Sequence, residues 1–189
     1  MIAQQISVKV FAREAAVDLS AFIPIFHRWI QEGRLPDHLL IDVADYAHVV
    51  DGPGVVLIGN EAHIGVDAER GPVGVIYNRK RDEPGELEPK LVEAARWALT
   101  AAQALEQDPA QVIHFRGDRL RVAIMSRRFG AADEATWAAA RPAVEGLAKR
   151  LWPGAAVKYA PRVDAREAFA VDLESATAAT LPELLARLG

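Results

Sequence analysis

Between residues 39 and 80 the chain never sustains a helical period; short apolar runs follow one another, each closed by a turn signal. Residues 39–43 read as a strand, and 55–58 form a continuous apolar run that predicts a strand covered on both faces. Ala62, Ile64 and Val66 then alternate with Glu61, His63 and Asp67, and Val73, Val75 and Tyr77 repeat the pattern. Asp51-Gly52-Pro53-Gly54 and Gly71-Pro72 supply the turns. Strands this close in sequence are joined as hairpins, so residues 39–80 predict a meander of three or four antiparallel strands.

The rest of the chain is organised around that run. Ile6, Val8 and Val10 alternate with Ser7 and Lys9, as a half-buried strand does. Asp18 or Ser20 caps a helix to about residue 32, with Gly33 to end it and Leu19, Phe22, Ile23, Phe26 and Ile30 on its apolar face. Residues 86–107 form the clearest helix, since Leu87, Leu91, Ala95, Ala98, Ala102 and Leu105 step by three or four. Residues 112–115 and 120–125 predict a hairpin turned at Gly117-Asp118. Asp133 caps a helix to about Trp152 that Pro142 is expected to kink or divide. Strands near 157–159 and 168–173 and a short helix over 181–188 complete the order.

Strands therefore come in runs rather than in strict alternation with helices. The expected fold is α+β: a mostly antiparallel sheet, meander plus hairpin, with three to four helices packed largely on one face. A length of 189 residues fits one domain, and a rough strand–helix rhythm shared by 1–108 and 109–189 leaves two similar halves open.

Composition narrows the function classes. The chain has no cysteine, which excludes disulfides, thiol catalysis and thiolate metal sites. A net charge of −4 predicts no nucleic-acid partner. Residues 1–95 carry a net −6 and residues 96–189 a net +2, an asymmetry that suits contact between the halves or between two copies. No apolar run is long enough to span a bilayer, and Met1-Ile2-Ala3-Gln4-Gln5 lacks the pattern of a signal peptide, so a cytoplasmic protein without a membrane partner is expected. No phosphate loop, zinc-protease motif, nucleophile elbow or calcium loop is present, and no cofactor is evident.

Chemistry-bearing side chains concentrate in the same meander. His48 and His63, with Asp45 or Asp67, form the candidate catalytic set, because imidazole titrates near neutral pH and a carboxylate orients it. The same groups leave a divalent metal open as a cofactor. Tyr46, Tyr77, Asn78 and Arg79 are candidate ligand contacts, Lys80 shares the anion-holding role with Arg79, and His27 sits on the flank of the first helix. Against this, Asp45 and Asp51 are natural turn formers, and His63 and Asp67 fall on the expected exposed face of their strand. His38 and His114 have no companions in sequence. Arg116, Arg119, Arg121, Arg127 and Arg128 crowd one segment, with Phe115 and Phe129 the nearby aromatics. Arg119 and Arg121 share a face, suited to a small anion or to acidic residues of the first half.

Phe26-His27-Arg28-Trp29-Ile30, Leu40-Ile41-Asp42-Val43-Ala44-Asp45-Tyr46 and Gly52-Pro53-Gly54-Val55-Val56-Leu57-Ile58-Gly59 resemble segments of an uncharacterised bacterial family. That resemblance implies a bacterial context and carries over no site residues. The expectation is a binding or interaction module that self-associates, as a homodimer; the alternative is a small-molecule enzyme, acid–base or metal-assisted, built on residues 39–80.

Overall fold

A computed structural model describes residues 5–14, 16–49, 52–68, 71–80, 85–110, 112–125, 131–162 and 168–189. Asp51, Arg81, Pro84, Arg127, Arg128 and Phe129 lie outside the described residues. The elements are β1 (Ile6–Ala12), α1 (Phe22–Glu32), β2 (Leu40–Tyr46), β3 (Gly54–Gly59), β4 (Ala62–Asp67), β5 (Gly74–Arg79), α2 (Leu87–Glu106), β6 (Phe115–Ile124), α3 (Glu134–Leu151), β7 (Val157–Arg162), β8 (Phe169–Ser175) and α4 (Leu181–Leu188). The fold is α+β. All eight strands join one sheet in the order β2-β3-β4-β5-β1-β6-β8-β7, and every pairing is antiparallel.

The predicted meander is the β2–β5 half of this sheet. β1 enters between β5 and β6 and couples the meander to the second half. Its period of two sends Val8 to one face, in register with Tyr77 on one side and Val122 on the other. Tyr77 in turn opposes Ile64, and Ile64 opposes Leu57. The helices cover this face. Phe22, Ile25, Phe26 and Trp29 of α1 are buried over β2 and β3, while α2 crosses β1, β5 and β6. Small side chains on α2, among them Ala94, Ala95, Ala98, Ala101 and Ala102, let it lie close to the sheet and to α3 and α4.

The caps follow the sequence. Asp18 accepts the Ser20 N–H at 3.0 Å at a single 3-10 turn that leads into α1, and Gly33 ends α1 at φ 59°, where a side chain would be strained. Asp133 caps α3 through the Thr136 N–H at 2.7 Å.

Two expectations are corrected. Gly117-Asp118 is no turn: β6 runs unbroken from Phe115 to Ile124. Gly117 is there for close approach, since a Cβ on it would lie 1.5 Å from the Ala179 carbonyl oxygen, and its own carbonyl accepts the Trp152 indole N–H at 2.8 Å. Pro142 does not divide α3, because the helix face it occupies, with Ala138, is exposed and water can serve the carbonyl it leaves unpaired. Arg28 of α1 pairs with Asp108 just beyond α2.

Both sheet edges are blunted. On β2 the Asp42 carboxylate accepts the Val43 N–H at 2.8 Å, and the register slips between Leu40 and Asp42. On β7, Pro161 offers no N–H.

Gly117→Ala should be severely destabilising, by about 2 kcal/mol or more, because strand and crossing segment must separate to admit one methyl. Urea denaturation of the two proteins measures this, and a midpoint equal to wild type would contradict the packing described.

Candidate functional site

The sequence-selected histidines and carboxylates are not brought together. His63 lies mid-sheet on β4, opposite Ile58, whose other neighbour is Asp42. His48 follows β2, beyond Tyr46. The Asp42 and Tyr46 rows are separated by four residues of extended chain, about 13 Å, so His48 and His63 do not share a site. Asp45 shares the helix-side register of Val55 and Val66, and its carboxylate is spent on the Ala47 N–H at 2.9 Å. Tyr46 and His27 are exposed. Among the described residues no group of three or more His, Asp or Glu is placed to hold a metal ion.

Asp67 is the clearest departure from expectation. It is only 8% exposed and accepts a 2.8 Å ion pair from Lys9, itself 2% exposed. Both lie on the sheet face away from the helices. Burial holds the Lys9 ammonium below the usual lysine range, although Asp67 pulls the other way. Arg119 and Arg121 stand on the same face with their guanidinium carbons 4.3 and 5.3 Å from the centre of the Phe11 ring. Their shared carboxylate is Asp172, at 2.9 and 2.5 Å, so it comes from the second half of the chain rather than the first. Burial alone would raise Asp172, but the two guanidinium groups outweigh it and hold it low. These groups are spent on one another.

His63 and Asn78 face each other across β4 and β5 on that side, and His63 Nδ1 and Asn78 Oδ1 are buried without a partner among the described residues. Burial, then the nearby Lys80 ammonium, holds His63 below the usual histidine range. Its folded pKa therefore lies under the unfolded one. As pH falls the unfolded chain takes the proton first, so stability is full above about pH 6.5 and is lost below it. His63→Gln should flatten the loss of stability between about pH 7 and pH 5; urea midpoints at the two pH values measure this, and an unchanged slope would exclude the role.

The arrangement that does converge lies at the Glu61–Arg79 end of the meander, on the helix side of the sheet. A cleft of about 230 Å³ is lined by Asp37 and His38 from the α1–β2 loop, Glu61 from the β3–β4 turn, Tyr77 and Arg79 from the end of β5, and Glu93, Arg96 and Trp97 from α2. Period two on β5 puts Tyr77 and Arg79 on the helix face, and the spacing of Glu93 to Arg96 and Trp97 presents all three from one side of α2.

Hydrogen bonds fix the histidine. His38 Nδ1 lies 3.2 Å from the Pro36 carbonyl oxygen, which can only accept, so Nδ1 carries the proton. In the neutral ring Nε2 is then an acceptor, and Tyr77 donates its hydroxyl proton to it at 3.0 Å. The imidazole also meets the Trp97 ring edge-to-face at 4.3 Å between centroids. Burial pushes the Tyr77 hydroxyl well above the usual tyrosine range, with Arg79 and Arg96 opposing and Glu93 and Glu61 adding to the rise, so the phenol keeps its proton. The pair can take up one proton at His38, which reverses the bond and leaves the Tyr77 O–H free to donate elsewhere.

The charged groups divide. Arg79 pairs with Glu93 at 2.8 Å. Glu61 accepts the Leu39 N–H at 2.9 Å and the Asn60 amide at 2.8 Å, and these bonds, Asn60's first, hold its carboxyl below the usual range. Arg96 lies over Trp97, 5.2 Å from the ring centre, with no carboxylate partner among the described residues. Of the sequence candidates, Tyr77 and Arg79 line this cleft; His38, Asp37, Glu61, Glu93, Arg96 and Trp97 were missed. His38 lies in the loop after the Gly33 helix stop, its cleft partners other than Asp37 sit on separate elements, and α2 reads as a core helix, so no local signal joins them.

No protein-family model matches the chain, and comparison with curated proteins finds no match.

Proposed function

We propose that this chain is a binding module that takes a small anionic molecule in the cleft between the α1–β2 loop and α2. The observation that carries this is Arg96, a guanidinium held over Trp97 on the cleft wall with no carboxylate to neutralise it among the described residues. Its neighbour Arg79 is already paired. A free guanidinium offers a planar fork to a carboxylate or phosphate, and the aromatic wall of Trp97, Tyr77 and His38 shields that contact from water. The volume, about 230 Å³, falls below the range of about 300–1,000 Å³ that suits drug-sized ligands, which favours a small metabolite. A catalytic use of the cleft would rest on the His38–Tyr77 pair rather than on His48 and His63.

Titration of small carboxylates and inorganic phosphate, followed by thermal shift and by tryptophan fluorescence, tests the reading. At least one anion should raise the melting temperature, and Arg96→Ala should weaken it by about tenfold or more. Trp97→Phe should remove the fluorescence change. Equal anion affinity in wild type and Arg96→Ala would end the proposal.

Self-association is favoured by a separate observation. Leu39, Ile41, Tyr46 and Val49 are 63, 55, 44 and 44% exposed, and all flank or belong to edge strand β2. Residues 39–49 carry Asp42 and Asp45 and no Lys or Arg, whereas edge strand β7 carries Lys158 and Arg162 and no carboxylate. A second copy fits head to tail, β2 against β7, better than two-fold, since a two-fold contact sets aspartates against aspartates. Pro161 and the Asp42 cap limit the backbone ladder, so the contact is weak. Sedimentation velocity should show concentration-dependent association at low salt that is lost at high salt and in Asp42→Lys/Asp45→Lys; a monomer at every concentration excludes it.

A further inference from the structure

We infer that the ligand of this cleft is a zwitterion, a small aminocarboxylate of the α-amino-acid type, with its carboxylate on Arg96 and its ammonium on Asp37. The inference rests on the anion-binding reading above and adds the second charge. It follows from which polar groups of the cleft are already satisfied and which are not.

Glu93 neutralises Arg79, and both Glu61 oxygens hold neighbouring N–H groups. Both His38 nitrogens are used, one on Pro36 and one on Tyr77. Two charged groups of the lining then remain without an oppositely charged or hydrogen-bonding partner among the described residues: the Arg96 guanidinium and the Asp37 carboxylate. One is a cation and one an anion, and the aromatic groups Trp97, Tyr77 and His38 line the same cleft.

This residual pattern is selective. A simple carboxylate satisfies Arg96 but leaves Asp37 without a partner and adds a further negative charge beside it, and a simple amine satisfies Asp37 but leaves Arg96 unmet. A molecule carrying both charges satisfies both groups and adds no net charge to the cleft. The backbone adds a second observation. Asp37 has φ 64°, the left-handed region, and is the one non-glycine residue with positive φ among the described residues. Aspartate tolerates that conformation better than most residues, yet glycine adopts it more readily. Strained positions of this kind gather where a side chain must be presented to a ligand.

The test is calorimetric titration with three probe series: L-amino acids, the matching carboxylates without the amino group (propionate, 3-phenylpropionate), and the matching amines without the carboxylate (ethylamine, phenethylamine). At least one amino acid should bind about tenfold more tightly than both of its truncated analogues. Asp37→Asn should erase the advantage of the amino acid over the des-amino carboxylate while leaving affinity for that carboxylate no lower. Arg96→Ala should weaken both. Asp37→Gly serves as the control for folding, because it relieves the backbone: it should keep the wild-type melting temperature or raise it and show the same loss as Asp37→Asn.

If the des-amino carboxylates bind as tightly as the amino acids and Asp37→Asn changes nothing, the zwitterion is excluded while anion binding at Arg96 stands. If neither inorganic phosphate nor any probe of the three series binds, or binding is indifferent to Arg96, both readings fall together.

Discussion

The Lys9–Asp67 pair sits where the two halves of the sheet are joined, and the rest of the architecture is arranged around that junction. β1 is the strand that meets both the meander and the second half, and its face away from the helices carries Ser7, Lys9 and Phe11, all almost fully buried. A buried ammonium without a partner would be costly enough to oppose this strand arrangement. Asp67 reaches it from the end of β4, and Arg119 and Arg121 close over Phe11 from β6 with Asp172 on β8 to balance them. Four strands thus contribute charges or the ring to one cluster. Removing one partner leaves the other stranded, which ties the register of the meander to that of the second half.

With that register set, the cleft is a consequence. Period two on β5 puts Tyr77 and Arg79 on the helix side, and α2, seated across β1, β5 and β6, brings Glu93, Arg96 and Trp97 over them. The end of α1 then decides where Asp37 and His38 fall. Gly33 stops the helix, Leu35 is buried, and the turn that follows places His38 between Pro36, Tyr77 and Trp97. Each wall comes from a different element, which is why the site holds a fixed histidine tautomer without any motif in sequence.

The two candidate regions have different chemical character for the same reason. On the face away from the helices the charged groups meet one another at short distance, so strong chemistry in sequence became internal pairing. In the cleft, satisfaction is incomplete: Arg79 and Glu61 are engaged, but Arg96 and Asp37 have no such partner among the described residues. A site for another molecule is better sought where charges are left over than where they are numerous.

Local pattern was enough for most elements, because hydrophobic period and turn chemistry act within a few residues. The antiparallel meander, the caps at Asp18 and Asp133, the stop at Gly33 and the three longer helices were legible that way. Gly117-Asp118 was misread because a glycine needed for close approach to Ala179 looks the same in sequence as one needed for a turn. Asp67 looked exposed because alternation tells which side a residue takes, not whether that side is closed by a lysine some sixty positions away. Tyr77 and Arg79 were found as chemistry-bearing residues of the meander; His38, Asp37, Arg96 and Trp97 were not, since their meeting depends on which strand β1 joins and where α2 then lies. The sequence by itself determined the fold class and the side of the sheet each strand residue faces. Only the tertiary structure decided which charges meet and which are left free, because those pairings span long stretches of chain and are selected by packing rather than by neighbours.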